Sequence, residues 1–325
     1  MKRLIFMIAL SILLIGLAGG IYGQDIGRPV TVVSIGFQGK SLEAVLPLVD
    51  REGEVGADII ALPETFLGQQ QNRPETLSGP TITALAALAR KQKTYIVCPI
   101  DRVDGGKRLN SAVLIDRDGK VAAVYDKIYP FWTEFDLDPP VDPGEKSVVF
   151  ETDFGKVGFA ICFDSNFPGV WSRMADQGAE LVIWPSAYSA GTQLKAHALN
   201  HHFYIVTSTL RRDCIVYDIT GEEIHYQKSG DVNVSRITLD LDRCIYHVDF
   251  NVPKRQKMME EHPGEVVLEK FWDREAWFVL RAVRPGVSAR KLAAEYGLEE
   301  LRHYKDRSRR QIDQKRPRPV VSGDK

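Results

Sequence analysis

The sequence predicts an α/β fold built as a layered sandwich with mixed β-sheets, and three observations predict it. From Pro29 onward, short β-rich apolar runs alternate with longer segments whose apolar residues recur at helical spacing. Several neighbouring strand runs are joined instead by turns too short for a helix, at Asp118-Gly119, Gly155 and Gly221, so hairpins sit beside the helix-connected strands. No tandem repeat, glycine-rich phosphate loop or low-complexity linker interrupts the chain before residue 250. With 325 residues, 44% of them hydrophobic, the chain can bury a large core as one large domain or two smaller ones.

In chain order, PVTVVSIGF and ADIIALPE read as strands, and SLEAVLPLVDREGEVG between them has the spacing of a helix. A second helix spans about Thr81 to Lys93 after the turn SGP, and the strand TYIVCPI follows. LNSAVLIDRDGKVAAVYDK reads as a hairpin, and DFGKVGFAICF as a second strand-turn-strand unit. Next come helical VWSRMADQGA, the strand ELVIWPSA, a helix from roughly Gln193 to His202, the strand FYIVTSTL and the hairpin IVYDITGEEIHY.

The two ends differ from this pattern. Lys2 and Arg3 precede an apolar run from Leu4 to about Ala18, then small residues and Gly23, which reads as a secretory signal cleaved near Gly23/Gln24. The alternative is an uncleaved anchor through residues 4–18, although that run is somewhat short for a membrane span. The expected location is therefore outside the cytoplasm, periplasmic or secreted, with membrane contact only through this segment. Residues 24–270 form the expected main domain and 271–325 a helical, charged C-terminal extension. Within that extension Ser288 caps SARKLAAEY, Gly297 stops it, and Leu298 to Lys315 continues as a charged helix before a Pro-rich tail. Its basic residues, Arg302, Lys305, Arg307, Arg309, Arg310, Lys315, Arg316 and Arg318, are broken by Asp306 and Asp313 and read as a solvated face.

Charge excludes a class of partner. Lys2 and Arg3 are two of the 42 basic residues, so the processed chain would set 40 against 43 acidic ones, which gives no footprint for nucleic acid. The four cysteines, Cys98, Cys162, Cys214 and Cys244, are widely and irregularly spaced with no CxxC pair. If Cys162 is a nucleophile it must stay reduced, which leaves at most one disulfide among the other three.

Three positions carry chemistry. Cys162 follows the apolar run GFAI and precedes turn-prone Asp164, Ser165, Asn166 and Pro168, a strand-end placement that suits a nucleophile and equally a packed core thiol. Glu64 ends the strand run DIIALPE, where apolar walls would desolvate its carboxylate and suit it to general-base work; a loop glutamate is the plain alternative. Lys127 leaves the run AVYDK ahead of the aromatic-rich YPFWTEF, placed either to hold an oxyanion or to snorkel at the surface.

Together LPETFLG, YDKIYPFWTE and GFAICFDSNFPGVWSRMADQGAELVIWPSAYS resemble, in order and interval, the Glu, Lys and Cys motifs of the nitrilase superfamily, the carbon-nitrogen hydrolases. The resemblance covers roughly Val30 to residue 250. It implies a four-layer α-β-β-α sandwich that associates in pairs or higher homo-oligomers, with Glu64 as general base and acid, Lys127 as oxyanion stabiliser and Cys162 as nucleophile. It also implies that Glu134 positions substrate and Lys127, that the Phe163 backbone N–H completes the oxyanion site, and that neither metal nor organic cofactor is required. Gly169 stands where many members carry glutamate. The aromatic loop with Trp132, and Tyr188 further on, fit either an apolar or planar acyl pocket or ordinary core packing.

The expected function is an exported hydrolase of small linear amides or carbamoyl compounds, working through a thioester. The alternatives are a nitrilase using the same residues, a non-catalytic binding or dimerisation relative, and acyl transfer to an amine. His197 and His201 stand at i, i+4 with His202 beside them, but no HExxH pattern accompanies them and packing near the site is the expectation. Asn233-Val234-Ser235 is a formal glycosylation sequon.

Overall fold

The computed structural model describes residues 25–69 and 73–317. The expected signal segment, residues 1–23, lies outside the described residues, as does the end of the basic tail.

Each sheet is built around a parallel trio extended by hairpins. In the first half, β1 (Pro29–Phe37), α1 (Leu42–Glu54), β2 (Ile59–Ala61), α2 (Pro80–Gln92) and β3 (Tyr95–Asp104) alternate, so β1, β2 and β3 pair in parallel through helical crossovers. β4 (Lys107–Ile115) and β5 (Val121–Asp126) then return as antiparallel hairpins. The turn between them requires Gly119: its φ is +74°, and a Cβ there would stand 2.4 Å from the Ala86 carbonyl oxygen.

The second half repeats the plan with β6 (Val149–Glu151), β7 (Lys156–Phe159), α3 (Pro168–Asp176), β8 (Leu181–Ser186), α4 (Thr192–His201), β9 (Tyr204–Thr209), β10 (Asp213–Tyr217) and β11 (Glu223–Lys228). β7, β8 and β9 are parallel, with β6, β10 and β11 antiparallel at the flanks. β12 (Val232–Asp240), not anticipated as a strand, crosses back and pairs along the whole of β1, giving two six-stranded sheets.

Alternation along the strands explains the layers. Val30, Val32, Ile59, Ala61, Val97 and Leu114 from the first sheet meet Phe159, Ile161, Leu181, Ile183 and Val206 from the second in one buried core between the sheets. The opposite faces carry Ile35, Ile60 and Val113 under α1 and α2, and Val182, Trp184 and Ile205 under α3 and α4. This is the expected α-β-β-α sandwich.

The C-terminal residues differ from the helical extension expected for 271–325. β13 (Cys244–His247), β14 (Val266–Trp272) and β15 (Trp277–Ala282) form a third, antiparallel sheet that straddles residue 270. The reason is a hairpin in the sequence: KFW and WFVLRA flank the turn Asp273–Ala276. One face packs on α5 (Val252–Glu261) and α6 (Ala289–Glu295), while Ile245 and Val279 join the core between the two large sheets. α6 keeps its expected cap, since the Ser288 hydroxyl accepts the Lys291 N–H, and Gly297 leaves it at φ +71°.

The basic helix α7 (Leu301–Asp313) is not wholly a solvated face. Leu301 is buried, and Arg302 donates to the carbonyls of Ala179 at 2.8 Å and His202 at 2.6 Å. Lys305 lies 4.8 Å above the Trp277 ring and donates to His202 Nε2 at 2.9 Å. Asn233 is buried on β12 with its amide on the Ser235 hydroxyl, so the sequon is inaccessible in the folded chain.

Candidate active site

The predicted site residues come from strand ends on facing sheets. Glu64 lies three residues beyond β2, Lys127 directly after β5, Cys162 three residues beyond β7, and Ala187 directly after β8. Strand ends expose polar groups to a crevice while the strands behind them stay rigid, which is why α/β sheets place their chemistry there.

One connected ion cluster results. Lys127 Nζ donates to Glu64 Oε1 at 2.8 Å and to Glu134 Oε2 at 2.6 Å. Glu64 Oε2 accepts the Ala187 N–H at 2.8 Å, and Glu134 Oε2 accepts the Phe131 N–H at 2.7 Å. Asn110 Nδ2 bridges the two carboxylates at 2.8 Å to each, and Gln69 donates to Glu134 at 3.1 Å. The surroundings of Glu64 are therefore donors rather than the apolar walls expected.

Burial alone would push the Lys127 ammonium down, but the negative charges of Glu64 and Glu134 outweigh it and hold the group above the ordinary lysine range. Burial also disfavours the Glu134 carboxylate, and there the Lys127 charge and its hydrogen bonds win, holding it below the usual value.

Cys162 sits beside this cluster in a left-handed conformation, φ +47°, at the start of a 3-10 turn through Asn166. Its carbonyl accepts the Trp184 indole N–H at 3.2 Å. Burial pushes the thiol well up, the Glu64 charge adds to that, and Lys127 opposes it without prevailing. A thiol shifted in this direction needs a proton acceptor at hand before its sulfur can attack a carbonyl.

A cleft of about 1490 Å³ opens over the cluster, lined among others by Glu64, Lys127, Glu134, Cys162, Phe163 and Tyr188. Trp132, expected to position substrate, stands 64% exposed beside the cleft and packs on Phe131, which does line it. Glu134 turns inward from the same short 3-10 helix and takes up its one inward position. The enclosed void among Glu180, Arg290 and Arg302 measures about 20 Å³, room for a water and not for a substrate.

The histidines are engaged elsewhere. His197 stacks on Trp171 at 4.4 Å with Nε2 2.9 Å from the Ser165 carbonyl, and His201 continues the stack. His202 places Nδ1 3.3 Å from the Ile219 carbonyl. All four cysteines are free and buried, so the disulfide allowed among Cys98, Cys214 and Cys244 is not formed.

Sequence reasoning missed Asn110, Gln69, the Ala187 N–H and Asp164. Asn110 carried a signal, an amide inside the strand-type run RLNSAVLI, since a polar side chain in a buried strand needs a partner. The Ala187 N–H carried none, because a backbone donor has no sequence signature.

Residues 38–244 match the carbon-nitrogen hydrolase family, to which this chain belongs. Among its relatives are Hydrolase C26A3.11 of Schizosaccharomyces pombe, 29% identical over 49% of this chain and 56% of that protein, and omega-amidase NIT2 of Xenopus tropicalis, 27% identical over 54% and 70%. The chain thus spans little more than half the length of the fission-yeast protein. Its fold is similar to that of Saccharomyces cerevisiae Nit3, a nitrilase-superfamily member, with a TM-score of 0.59 and 21% identity over 73% of this chain and 96% of that one. An amidase from Nesterenkonia sp. gives 0.55 and 19% over 67% and 92%.

Proposed function

We propose that this enzyme hydrolyses the C–N bond of a small linear amide or carbamoyl compound through a thioester on Cys162. The observation that carries the reading is the Lys127 ammonium held between Glu64 and Glu134 beside a thiol on a strained turn.

Each group has a step. Glu64 takes the Cys162 proton as sulfur bonds to the carbonyl carbon. The carbonyl oxygen gains charge that Lys127 and the Phe163 N–H stabilise; that N–H opens a 3-10 turn, where donors have no internal partner. Collapse breaks the C–N bond, and Glu64 gives its proton to the leaving amine or ammonia. Water then enters, Glu64 takes its proton, the hydroxyl bonds to the thioester carbon, and the C–S bond breaks to release acid while Glu64 returns the proton to the leaving sulfur, restoring both thiol and carboxylate. Glu134 holds Lys127 throughout, and Tyr188 lines the acyl side of the cleft.

Residues 1–23 support delivery across a membrane, and the family supports association in pairs. Light scattering of the purified chain and N-terminal sequencing of exported protein test those two points.

The reaction is tested by intact mass of wild type and Cys162→Ala after brief exposure to paired amides, carbamoyl compounds and nitriles, followed by acid quench. The reading expects an acyl increment on wild type alone, from an amide or carbamoyl compound. Turnover of nitriles only would replace it with the nitrilase reading, and full turnover by Cys162→Ala would refute it.

A further inference from the structure

We propose that Asp164 is a positioning residue that ties Lys127 to Cys162, its buried carboxylate spanning the two strand ends that deliver them. The inference rests on the thioester reading above.

Asp164 is wholly buried and accepts three hydrogen bonds from two separate segments. Oδ2 accepts the Tyr125 hydroxyl at 2.7 Å and the Ile161 N–H at 2.9 Å, and Oδ1 accepts the Tyr129 N–H at 2.9 Å. Tyr125 and Tyr129 flank Lys127 two residues to either side, and Ile161 immediately precedes Cys162. The main chain of Asp164 is itself anchored: its N–H donates to the Ile161 carbonyl at 3.0 Å, and its carbonyl accepts the Trp171 indole at 3.1 Å. One side chain therefore fixes the segment on both sides of the ammonium and the residue before the nucleophile.

The junction has a purpose that core packing lacks. β5 and β7 belong to different sheets and share no ladder, so no backbone register sets the separation of Lys127 from Cys162. Glu64 and Glu134 hold the Lys127 ammonium at its tip, and Asp164 ties the backbone on both sides of Lys127 directly to the cysteine turn. Cys162 also keeps a left-handed conformation, which a residue with a Cβ holds only where its neighbours impose it. Asparagine in place of Asp164 would offer one oxygen and an NH2 where three donors converge, so at least one donor would meet another.

Misplacement by about an ångström costs on the order of 100-fold in rate. Asp164→Asn is accordingly expected to lower kcat by about that factor with KM within about twofold. Tyr125→Phe, which removes one of three bonds and keeps the ring, is expected to lower kcat about fivefold.

The experiment measures kcat, KM, thermal melting and the rate of Cys162 alkylation by iodoacetamide against pH, read by peptide mass. It uses wild type, Asp164→Asn, Tyr125→Phe, Lys127→Met and the Asp164→Asn/Lys127→Met double variant, with Cys162→Ala as a separate arm. Full activity in Cys162→Ala would sink the thioester reading whatever Asp164 does. With that arm inactive, the expected result is a loss confined to kcat, slower alkylation in Asp164→Asn near neutral pH, and no further slowing when it is added to Lys127→Met. A folded Asp164→Asn with wild-type kcat, a change in KM instead, or an additive effect in the double variant would overturn the inference. If Asp164→Asn does not fold, Tyr125→Phe decides: lowered kcat at unchanged KM and melting supports the role, and wild-type kcat overturns it.

Discussion

Lys127 and Glu64 form a 2.8 Å ion pair in which the lysine is 1% and the glutamate 4% exposed. Two charges removed from water recover that cost only when every remaining donor and acceptor is met. Glu134 gives Lys127 a second acceptor, and Asn110 and the Ala187 N–H give Glu64 further donors. The ammonium is therefore held in place by the protein alone, as the proposed oxyanion role requires.

Lys127→Met is expected to lower kcat by about 100- to 1000-fold through loss of an oxyanion donor. It also leaves Glu64 and Glu134 facing each other with their cation gone, so stability should fall by about 3–5 kcal/mol. Steady-state kinetics and denaturant unfolding read the two effects separately, and wild-type stability would show that the pair is not load-sharing.

Asn110→Asp replaces the shared donor with a third carboxylate between Glu64 and Glu134. Activity at neutral pH should drop by roughly tenfold or more, and Asn110→Ala should cost about 1.5–3 kcal/mol through loss of its hydrogen bonds to two charged carboxylates. Equal kinetics for Asn110→Ala and wild type would refute the bridging role.

Acid should destabilise the fold through its histidines. Burial pushes His201 down to about 4 and His202 down to about 3, with neighbouring His197 adding to the first and Lys305 to the second. A histidine depressed in the fold binds more protons when unfolded, so its contribution is complete above the unfolded value near 6.5 and is lost as pH falls below it. Each should remove up to about 1.4 kcal/mol per pH unit between 6.5 and its folded value, less for the partly exposed His201. Urea midpoints from pH 7 to 4.5 test this: wild type should lose stability more steeply than His202→Gln.

Arg302→Ala should cost stability without touching kcat. It strips the Ala179 and His202 carbonyls of their buried donor, a loss of about 2 kcal/mol, at a site outside the cleft. A change in kcat with unchanged melting would instead make α7 part of the working cleft.

Much of this was legible in the chain. PVTVVSIGF, ELVIWPSA and FYIVTSTL became β1, β8 and β9 because each is apolar on both faces, as a strand buried between a helix layer and a second sheet must be. The hairpin at Gly119 was legible because its backbone admits no side chain. β12 was harder to see: VNVSRITLD is broken by polar residues, and its place is set by pairing with β1, over 190 residues away. β14 and β15 were hidden by the charged turn DREA and by the neighbouring helices.

At the site the same division holds. The sequence by itself marked Glu64, Lys127 and Cys162 as candidates, because each follows a strand-type run, and only the resemblance to a family added Glu134. Only the tertiary structure decided the surroundings of those groups and what holds them: the Cys162 thiol pushed up by burial, Asn110 shared between two carboxylates, Trp132 turned aside while Phe131 faces the cleft. Side-chain identity is local information. Burial, charge balance and the separation of two strand ends depend on segments that meet only when the two sheets close on one another.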